Sequence, residues 1–276
     1  MKVSIITVTR NSEKFLGECI NSIENQRYKN IEYIVVDGKS TDGTLDIIKK
    51  HEDTITKWIS ESDKGMYDAL NKGMKMATGD IIGILHSDDV FDNDWVLEDI
   101  VNTFKTHETD AVFGDLQYVD RDNLSIVRRT WRGKSYKRER FLYGWMPAHP
   151  TFYIKRSAVE AHGGYESHYY TAADYEFMAR YLYKHKISAV YMPDLVVKMR
   201  MGGASNINLK QRIRANRRDY LAMKTNNIPF ALVVSILKPL LKLHQFKNKW
   251  PNLKSKSLKK DIATAPKFRV PTILSS

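Results

Sequence analysis

Two adjacent carboxylates, Asp88 and Asp89, follow the apolar run Ile81-Ile82-Gly83-Ile84-Leu85 and precede Val90-Phe91. An acidic pair at the end of a buried strand suits a hard divalent cation, which takes oxygen ligands and completes its shell with water and phosphate. The ordinary alternative is that one of them caps a helix beginning near Asn93-Asp94. Asp37 and Asp63 form a second group, each in a turn with nearby glycines: Gly38 and Gly43 for the first, Gly65 for the second. Carboxylates in such turns can accept hydrogen bonds from a ribose or a base, and glycine lets the backbone come close to a ligand. Neither turn is a G-x-G-x-x-G or a P-loop, so dinucleotide and P-loop readings have no support. Asp174 sits where a helix starts, in Thr171-Ala172-Ala173-Asp174-Tyr175-Glu176. Its simplest role there is to meet the helix dipole, and the same field favours the ionised form that a general base needs. His149, between Ala148 and Pro150, is either a substrate contact or a packed core histidine, with local context favouring packing.

Positioning these groups requires elements that end on one rim, and the first 110 residues supply them. Val3–Val8, Ile31–Val36, Ile55–Ser60 and Asp80–Leu85 have strand character, and the second is almost wholly apolar, as when both sheet faces are covered. Between them, Phe15, Leu16, Cys19, Ile20 and Ile23 recur at helical spacing, as do Met66, Ala69, Leu70, Gly73, Met74 and Ala77. Strand–helix alternation of this kind predicts a parallel, doubly wound α/β sheet, whose ligands bind beyond the carboxyl ends of the strands. Asp37, Asp63 and Asp88-Asp89 all fall at such ends. Beyond residue 110 the pattern loosens: strands over Ala111–Tyr118 and Ser125–Trp131, a Pro-marked segment at 146–153, a helix over 173–184 and a long helix over Leu209–Lys224.

The 276 residues are 42% hydrophobic, with 15 Tyr, 10 Phe and 5 Trp, which is enough for a large core and excludes disorder as the main state. The single cysteine, Cys19, excludes a disulfide framework and a multi-cysteine zinc site. The amino terminus reads directly as a strand, without the apolar stretch of a signal peptide, and the expected setting is a reducing cytosol. Charge is uneven. Residues 201–276 hold 16 Lys/Arg against two acids, Asp219 and Asp261, whereas residues 1–200 carry 28 basic and 30 acidic groups. A near-neutral body with a basic tail suggests tethering to an anionic surface rather than a nucleic-acid-binding protein.

Several blocks in order resemble the family 2 inverting glycosyltransferases of the A-type fold, over roughly residues 2–203. Val3–Asn11 is similar to the opening strand and turn, and Val35-Val36-Asp37-Gly38-Lys39-Ser40-Thr41-Asp42-Gly43-Thr44 to the second-strand signature. Glu61–Gly73 with Ala77-Thr78-Gly79-Asp80 resembles a block frequent in bacterial surface-polysaccharide transferases, and Leu85-His86-Ser87-Asp88-Asp89 the metal and diphosphate motif. His149-Pro150-Thr151-Phe152, Ala173-Asp174-Tyr175-Glu176 and Arg200–Ser205 resemble later blocks. The resemblance implies that Thr9, Asp37 and Asp63 line a nucleotide pocket, that Asp88 binds Mn²⁺ or Mg²⁺ bridging the diphosphate, that Asp89 helps place the donor sugar, and that Asp174 is the catalytic base. Two departures stand out. Asp37-Gly38 replaces an Asp-Asp pair, which leaves the nucleobase open, and His86 replaces the first acid of the metal motif.

The expected activity is therefore metal-dependent inverting transfer of a hexosyl or N-acetylhexosaminyl group. The donor would be a nucleoside-diphosphate sugar and the acceptor a hydroxyl of a glycan or polyprenyl-linked glycan. The expected fold is a Rossmann-like A-type sheet flanked by helices, with a catalytic domain over 1–205. Within it, 1–110 would bind the nucleotide sugar and 111–205 the acceptor, followed by a basic helical extension over 206–276. The apolar residues from Phe230 to Leu243, with the lysines that follow, suggest docking on an anionic membrane, at the inner face of the bacterial cell membrane. Their alternative is packing on the catalytic domain, and the Lys/Ser/Pro-rich tail after 250 is expected to be mobile. A sugar-nucleotide-forming nucleotidyltransferase is the competing enzyme, although Thr9-Arg10-Asn11-Ser12 is a poor phosphate-gripping loop. No nucleic-acid partner is expected, and oligomeric state is open.

Overall fold

In the computed structural model, residues 1–202 and 209–235 are described. Nine strands among them form one mixed sheet: β1 (Val3–Thr9), β2 (Ile31–Asp37), β3 (Lys57–Ser60), β4 (Ile81–Ile84), β5 (Val90–Phe91), β6 (Ala111–Val119), β7 (Val127–Trp131), β8 (Tyr153–Lys155) and β9 (Ala189–Arg200). Their spatial order is β3-β2-β1-β4-β8-β6-β9-β5, with β7 added to β6. The helices are α1 (Leu16–Glu24), α2 (Thr44–Lys50), α3 (Met66–Met76), α4 (Val96–His107), α5 (Arg156–His162), α6 (Ala173–Met178) and α7 (Leu209–Thr225).

The expected parallel sheet is present in the first half, where β3, β2, β1 and β4 run in parallel. The second half departs from it: β8 is antiparallel to β4 and to β6, and β5 is antiparallel to β9, although β6 and β9 are parallel. Alternation along β1 explains the burial. Ile6 and Val8 enter the core shared with α3 and α6, while Val3 and Ile5 enter the opposite core shared with α1 and α4. Both faces of the sheet are thus covered, and every residue of β1 is buried. The stripes on α1 (Leu16, Cys19, Ile20, Ile23) and α3 (Ala69, Leu70, Gly73, Met74) are the buried faces, as their spacing predicts.

After α6 the chain widens into a π-helical turn over Ala179–Lys184, and α7 packs back on α6. Ala222 and Met223 of α7, with Ile228 and Val234 beyond it, join the core of α3 and α6. Asn226 donates to Glu176 Oε1 at 3.3 Å and Tyr169 donates to Thr225 at 2.8 Å. Packing on the domain therefore holds for these residues, while Phe230, Leu232 and Val233 remain exposed. The expectations for 236–276, which include most of the suggested docking helix and the tail, lie outside the described residues, as do residues 203–208.

Candidate functional site

Strand register brings the predicted residues to one rim. Thr9 is opposite Asp37, and Asp37 is opposite Ser60, so the ends of β1, β2 and β3 are level, with Asp63 three residues beyond. Next to β1, β4 ends in the tight turn His86–Asp89, closed by a bond from the Asp89 amide to the His86 carbonyl at 2.9 Å. Ser87 shares a 3.0 Å hydrogen bond with Ser12, which ties that turn to the loop after β1.

The four carboxylates on this rim differ in their surroundings. Asp37 is fully buried, and both of its oxygens are engaged: Oδ2 accepts from the Ser40 amide (3.0 Å) and the Ser60 hydroxyl (2.6 Å), and Oδ1 from the Ser40 hydroxyl. Its carboxylate builds the turn. Asp63 is half-buried; its Oδ1 accepts from the Gly65 amide at 2.8 Å, and its Oδ2 lies against Gly38. Asp88 is half-buried and precedes Asp89 in the same turn.

Asp89 is only 1% exposed. Its Oδ1 accepts from the backbone amide of Arg200 at 3.2 Å, while its Oδ2 is buried with no hydrogen-bond partner. Burial, and then repulsion from Asp88, push its carboxyl well above the usual range; Arg200 opposes them. The Thr9 hydroxyl is likewise buried without a partner. Two oxygens on one rim thus keep bonding capacity that the fold leaves unused.

The last residue of β9, Arg200, holds the site from behind. Its guanidinium bonds Glu18 of α1 and the Arg121 carbonyl, and lies 4.7 Å from the Phe15 ring centre. Sequence reasoning placed Arg200 in a loop block and missed this support, whose only signal was a lone arginine closing a partly apolar run.

Asp174 lies in the first turn of α6, and its Oδ1 accepts from the next amide, Tyr175, at 2.7 Å. Its charge raises the hydroxyls of Tyr67 and Tyr165, after burial as the main cause, which places both tyrosines beside it. The buried pair Glu176–Arg180 (3.0 Å) fixes α6, because the same guanidinium also bonds the carbonyls of His162, Gly163 and Gly164. His149 is a packed histidine as its context suggests: it is 7% exposed, with Nε2 2.7 Å from the Tyr165 hydroxyl. Its ring is 6.0 Å from that of His86, whose pKa is lowered by burial against the opposing pull of Asp88. Tyr118 of β6 joins the two sides. Burial raises its hydroxyl, Arg129 lowers it, and both Asp89 and Asp174 raise it further.

Among the described residues, no group of three or more His, Cys, Asp or Glu is gathered as a self-sufficient metal site. What is present fits a cation of another kind. The half-buried Asp88 next to the unpartnered Asp89 oxygen offers one or two oxygen ligands, which is what Mg²⁺-type ions use when substrate phosphate and water complete the shell.

Known proteins share this fold. In S. aureus, TarS 1–349, solved in complex with UDP-GlcNAc, superposes with a TM-score of 0.64 at 20% identity, covering 88% of this chain and 72% of that one. The mannosyltransferase PcManGT of Pyrobaculum calidifontis, solved with GDP-Man and Mn²⁺, gives 0.58 at 19% identity, covering 88% and 75%. These likenesses show the A-type glycosyltransferase fold. A PGL/p-HBAD biosynthesis glycosyltransferase of Mycobacterium bovis is 30% identical over 211 residues, 74% of this chain and 78% of the relative. An uncharacterized glycosyltransferase of Mycobacterium tuberculosis is 32% identical over 180 residues, 64% and 68% of the two chains. The pattern of the family described as Glycosyl transferase family 2 matches residues 4–163. With that match and these relatives, the chain belongs to glycosyl transferase family 2 and is a glycosyltransferase.

Proposed function

We propose that this glycosyltransferase moves a hexosyl or N-acetylhexosaminyl group, with inversion, from a nucleoside-diphosphate sugar to a hydroxyl of a glycan or lipid-linked glycan. The observation that carries this reading is that Asp89, just past the end of β4, and Asp174, in the first turn of α6, both raise the hydroxyl of the same residue, Tyr118 of β6. A single displacement requires a group that manages the leaving diphosphate and, opposite it, one base; it requires no enzyme nucleophile.

The acceptor hydroxyl has a pKa far above 7 and must lose its proton as it attacks the anomeric carbon. Asp174, with Oδ1 held by the Tyr175 amide, takes that proton as the new bond forms, and the bond to the diphosphate oxygen breaks on the opposite face. An α-linked donor thus yields a β-glycoside. Asp88, with Asp89 beside it, would hold a divalent cation, which when bound supplies Lewis-acid neutralisation of the departing diphosphate. The Arg200 amide fixes the Asp89 carboxylate through Oδ1, and the Ser12–Ser87 bond holds the loop after β1 against the same turn. Mn²⁺ complexed with the Pyrobaculum mannosyltransferase, and UDP-GlcNAc with TarS, support the cation and the donor class.

An anionic membrane is the proposed location of the acceptor. Exposed Phe230 (79%), Leu232 (61%) and Val233 (53%) follow α7, whose Arg214, Arg217 and Lys224 are exposed as well, a combination suited to an interfacial segment. No helix of the described residues is long and apolar enough to cross a membrane. On this reading the catalytic unit spans 1–205 together with α7, whose Ala222 and Met223 complete its core, and the exposed apolar residues from Phe230 onward serve attachment.

The test is a donor screen: hydrolysis of UDP-, dTDP- and GDP-sugars with Mn²⁺, Mg²⁺ or EDTA. Slow, metal-dependent release of one nucleoside diphosphate is expected. If no donor is hydrolysed and no free nucleoside diphosphate binds in calorimetry, the reading fails.

A further inference from the structure

His149 and Tyr165 form a buried polar contact beside the apolar core of α3 and α6. The Tyr165 hydroxyl lies 2.7 Å from His149 Nε2, and the two residues are 6% and 7% exposed. A hydrogen bond in such surroundings is expensive to leave half-made, so it holds its two groups in one arrangement. Each end is anchored to a different part of the site. His149 begins the short 3₁₀ turn His149–Thr151, where the Thr151 hydroxyl donates to the Gly114 carbonyl of β6 at 3.1 Å. Its ring stands 6.0 Å from that of His86, in the turn that carries Asp88. Tyr165 is held through its backbone by one side chain of α3: Asn71 donates to its carbonyl at 2.8 Å and accepts from its amide at 2.7 Å. The preceding Gly164 leaves the space for that clamp, since a Cβ there would lie 2.3 Å from Asn71 Oδ1. The Tyr165 ring stacks on Phe177, with centroids 4.3 Å and planes 26° apart, and Phe177 lies one turn beyond Asp174 on α6. Tyr67 closes the group: its ring is 5.3 Å from that of Tyr165, and its hydroxyl accepts from the Asp174 backbone amide.

We propose that the His149–Tyr165 hydrogen bond is the positioning device of the base, setting the start of α6, and with it Asp174, at a fixed reach from the turn of Asp88 and Asp89. This rests on the reading of Asp174 as the base given above. The contacts run from the Asp88 turn through His86, His149 and Tyr165 to Phe177 and α6. Side chains packed at interior density transmit a shift at one end to the other. His86, the departure from the metal motif, is the first member of this chain. Misplacing a reacting group by about 1 Å can lower a rate on the order of 10²-fold. Such a loss falls on kcat, because the carboxylates of the donor rim are left as they were.

The test is nucleoside diphosphate release by the full chain from the UDP-, dTDP- and GDP-sugars of the donor screen, with kcat and donor KM measured on the one hydrolysed. Tyr165→Phe and His149→Leu each remove the bond while keeping an apolar side chain in place. Both should lower kcat by about 10- to 100-fold, with donor KM within about twofold of the wild type. The double variant should be no slower than the slower single, because the bond is already gone. His149→Gln, whose amide can give or take the same hydrogen, should recover most of the rate lost in His149→Leu. Packing volume alone would rank Leu above Gln. Rates are taken per folded molecule from thermal unfolding of each variant, and Tyr165→Phe, which deletes one oxygen, carries the test if His149→Leu does not fold. A wild-type kcat in Tyr165→Phe, losses that multiply in the double variant, or no recovery in His149→Gln overturns the proposal and leaves Asp174 as the base. A wild type that hydrolyses none of the donors, or a wild-type rate in Asp174→Asn, removes the base itself and this assignment with it.

Discussion

Two carboxylates, each about 1% exposed, sit at opposite ends of the same parallel strands. At the amino-terminal rim, Glu32 accepts from Ser4, from the amide and hydroxyl of Thr78, and from Lys2 and Lys57. Burial alone would raise its carboxyl, but the bonds from Lys57, Ser4 and Thr78 outweigh it and hold it well below the usual range. At the carboxyl-terminal rim, Asp89 has one backbone amide and an orphaned oxygen, and its carboxyl is pushed up. Both acids are closed to solvent, Asp89 in the deeper surroundings, and only at Glu32 does the fold itself supply partners to both oxygens. Glu32 joins β1, β2 and β3 to the turn before β4, whereas Asp89 is held with bonding capacity unused. One rim satisfies its buried acid from within the fold; the other is the rim to which the proposed function brings the donor.

The largest effect that would test this division is on rate. Asp174→Asn keeps the shape of the α6 start and removes the proton acceptor, so turnover should fall by about 10²–10⁴-fold with donor affinity retained and the melting temperature close to wild type. Comparable turnover in the variant would remove Asp174 from the mechanism. On the opposite rim the signs reverse. Glu32→Ala leaves Ser4 and Thr78 without their shared acceptor, while the half-exposed Lys2 and Lys57 can turn to water, and should cost about 1–3 kcal/mol of stability, the range for hydrogen bonds to a charged group. Turnover per folded molecule should be unchanged. Denaturant unfolding with parallel assays separates the two readouts, and equal stability would mean that Glu32 does not anchor the strands.

The strand rhythm, the α1 and α3 stripes and the collection of acids on one rim were all legible from apolar spacing, because those elements are held by periodic burial. What was not legible depends on partners distant in sequence. β9 went unseen because Pro193 and Asp194 interrupt its apolar pattern, yet it pairs along the length of β6 and delivers Arg200 to Asp89 across 111 positions. The mixed direction of the sheet was hidden for a related reason, since β8 is three residues long and too short to carry a period. Asp37 illustrates the limit for sites. Residue type and turn placed it on the rim, but only the hydroxyls of Ser40 and Ser60 tell that its carboxylate faces inward.

A smaller effect should come from relieving the unsatisfied rim. Asp89→Asn replaces a buried carboxylate whose Oδ2 has no partner with a neutral amide, while the remaining oxygen can still accept from the Arg200 amide. Stability should rise by roughly 1–2 kcal/mol at neutral pH, the scale of a buried unsatisfied polar group, while donor turnover falls. Stability and function would then move in opposite directions at one residue. A fall in both would make Asp89 a structural acid like Glu32.

The smallest effect is a slope. The folded-state pKa of Glu32 is depressed, so the unfolded chain binds its proton first as the pH falls. Its stabilising contribution is complete above the ordinary glutamate pKa of about 4.3 and is lost progressively as the pH drops from there toward the folded value. Over that interval the unfolded state holds more protons, and stability should increase with pH. Glu32→Gln removes the titrating group, so its unfolding free energy should vary less steeply with pH between about 4.3 and 2.5 than that of the wild type. The two curves should lie farthest apart above that interval and converge toward its acid end. Parallel curves would show that the bonds around Glu32 act on its shape alone and not on its charge, and the contrast between the two rims would then be one of packing rather than of electrostatics.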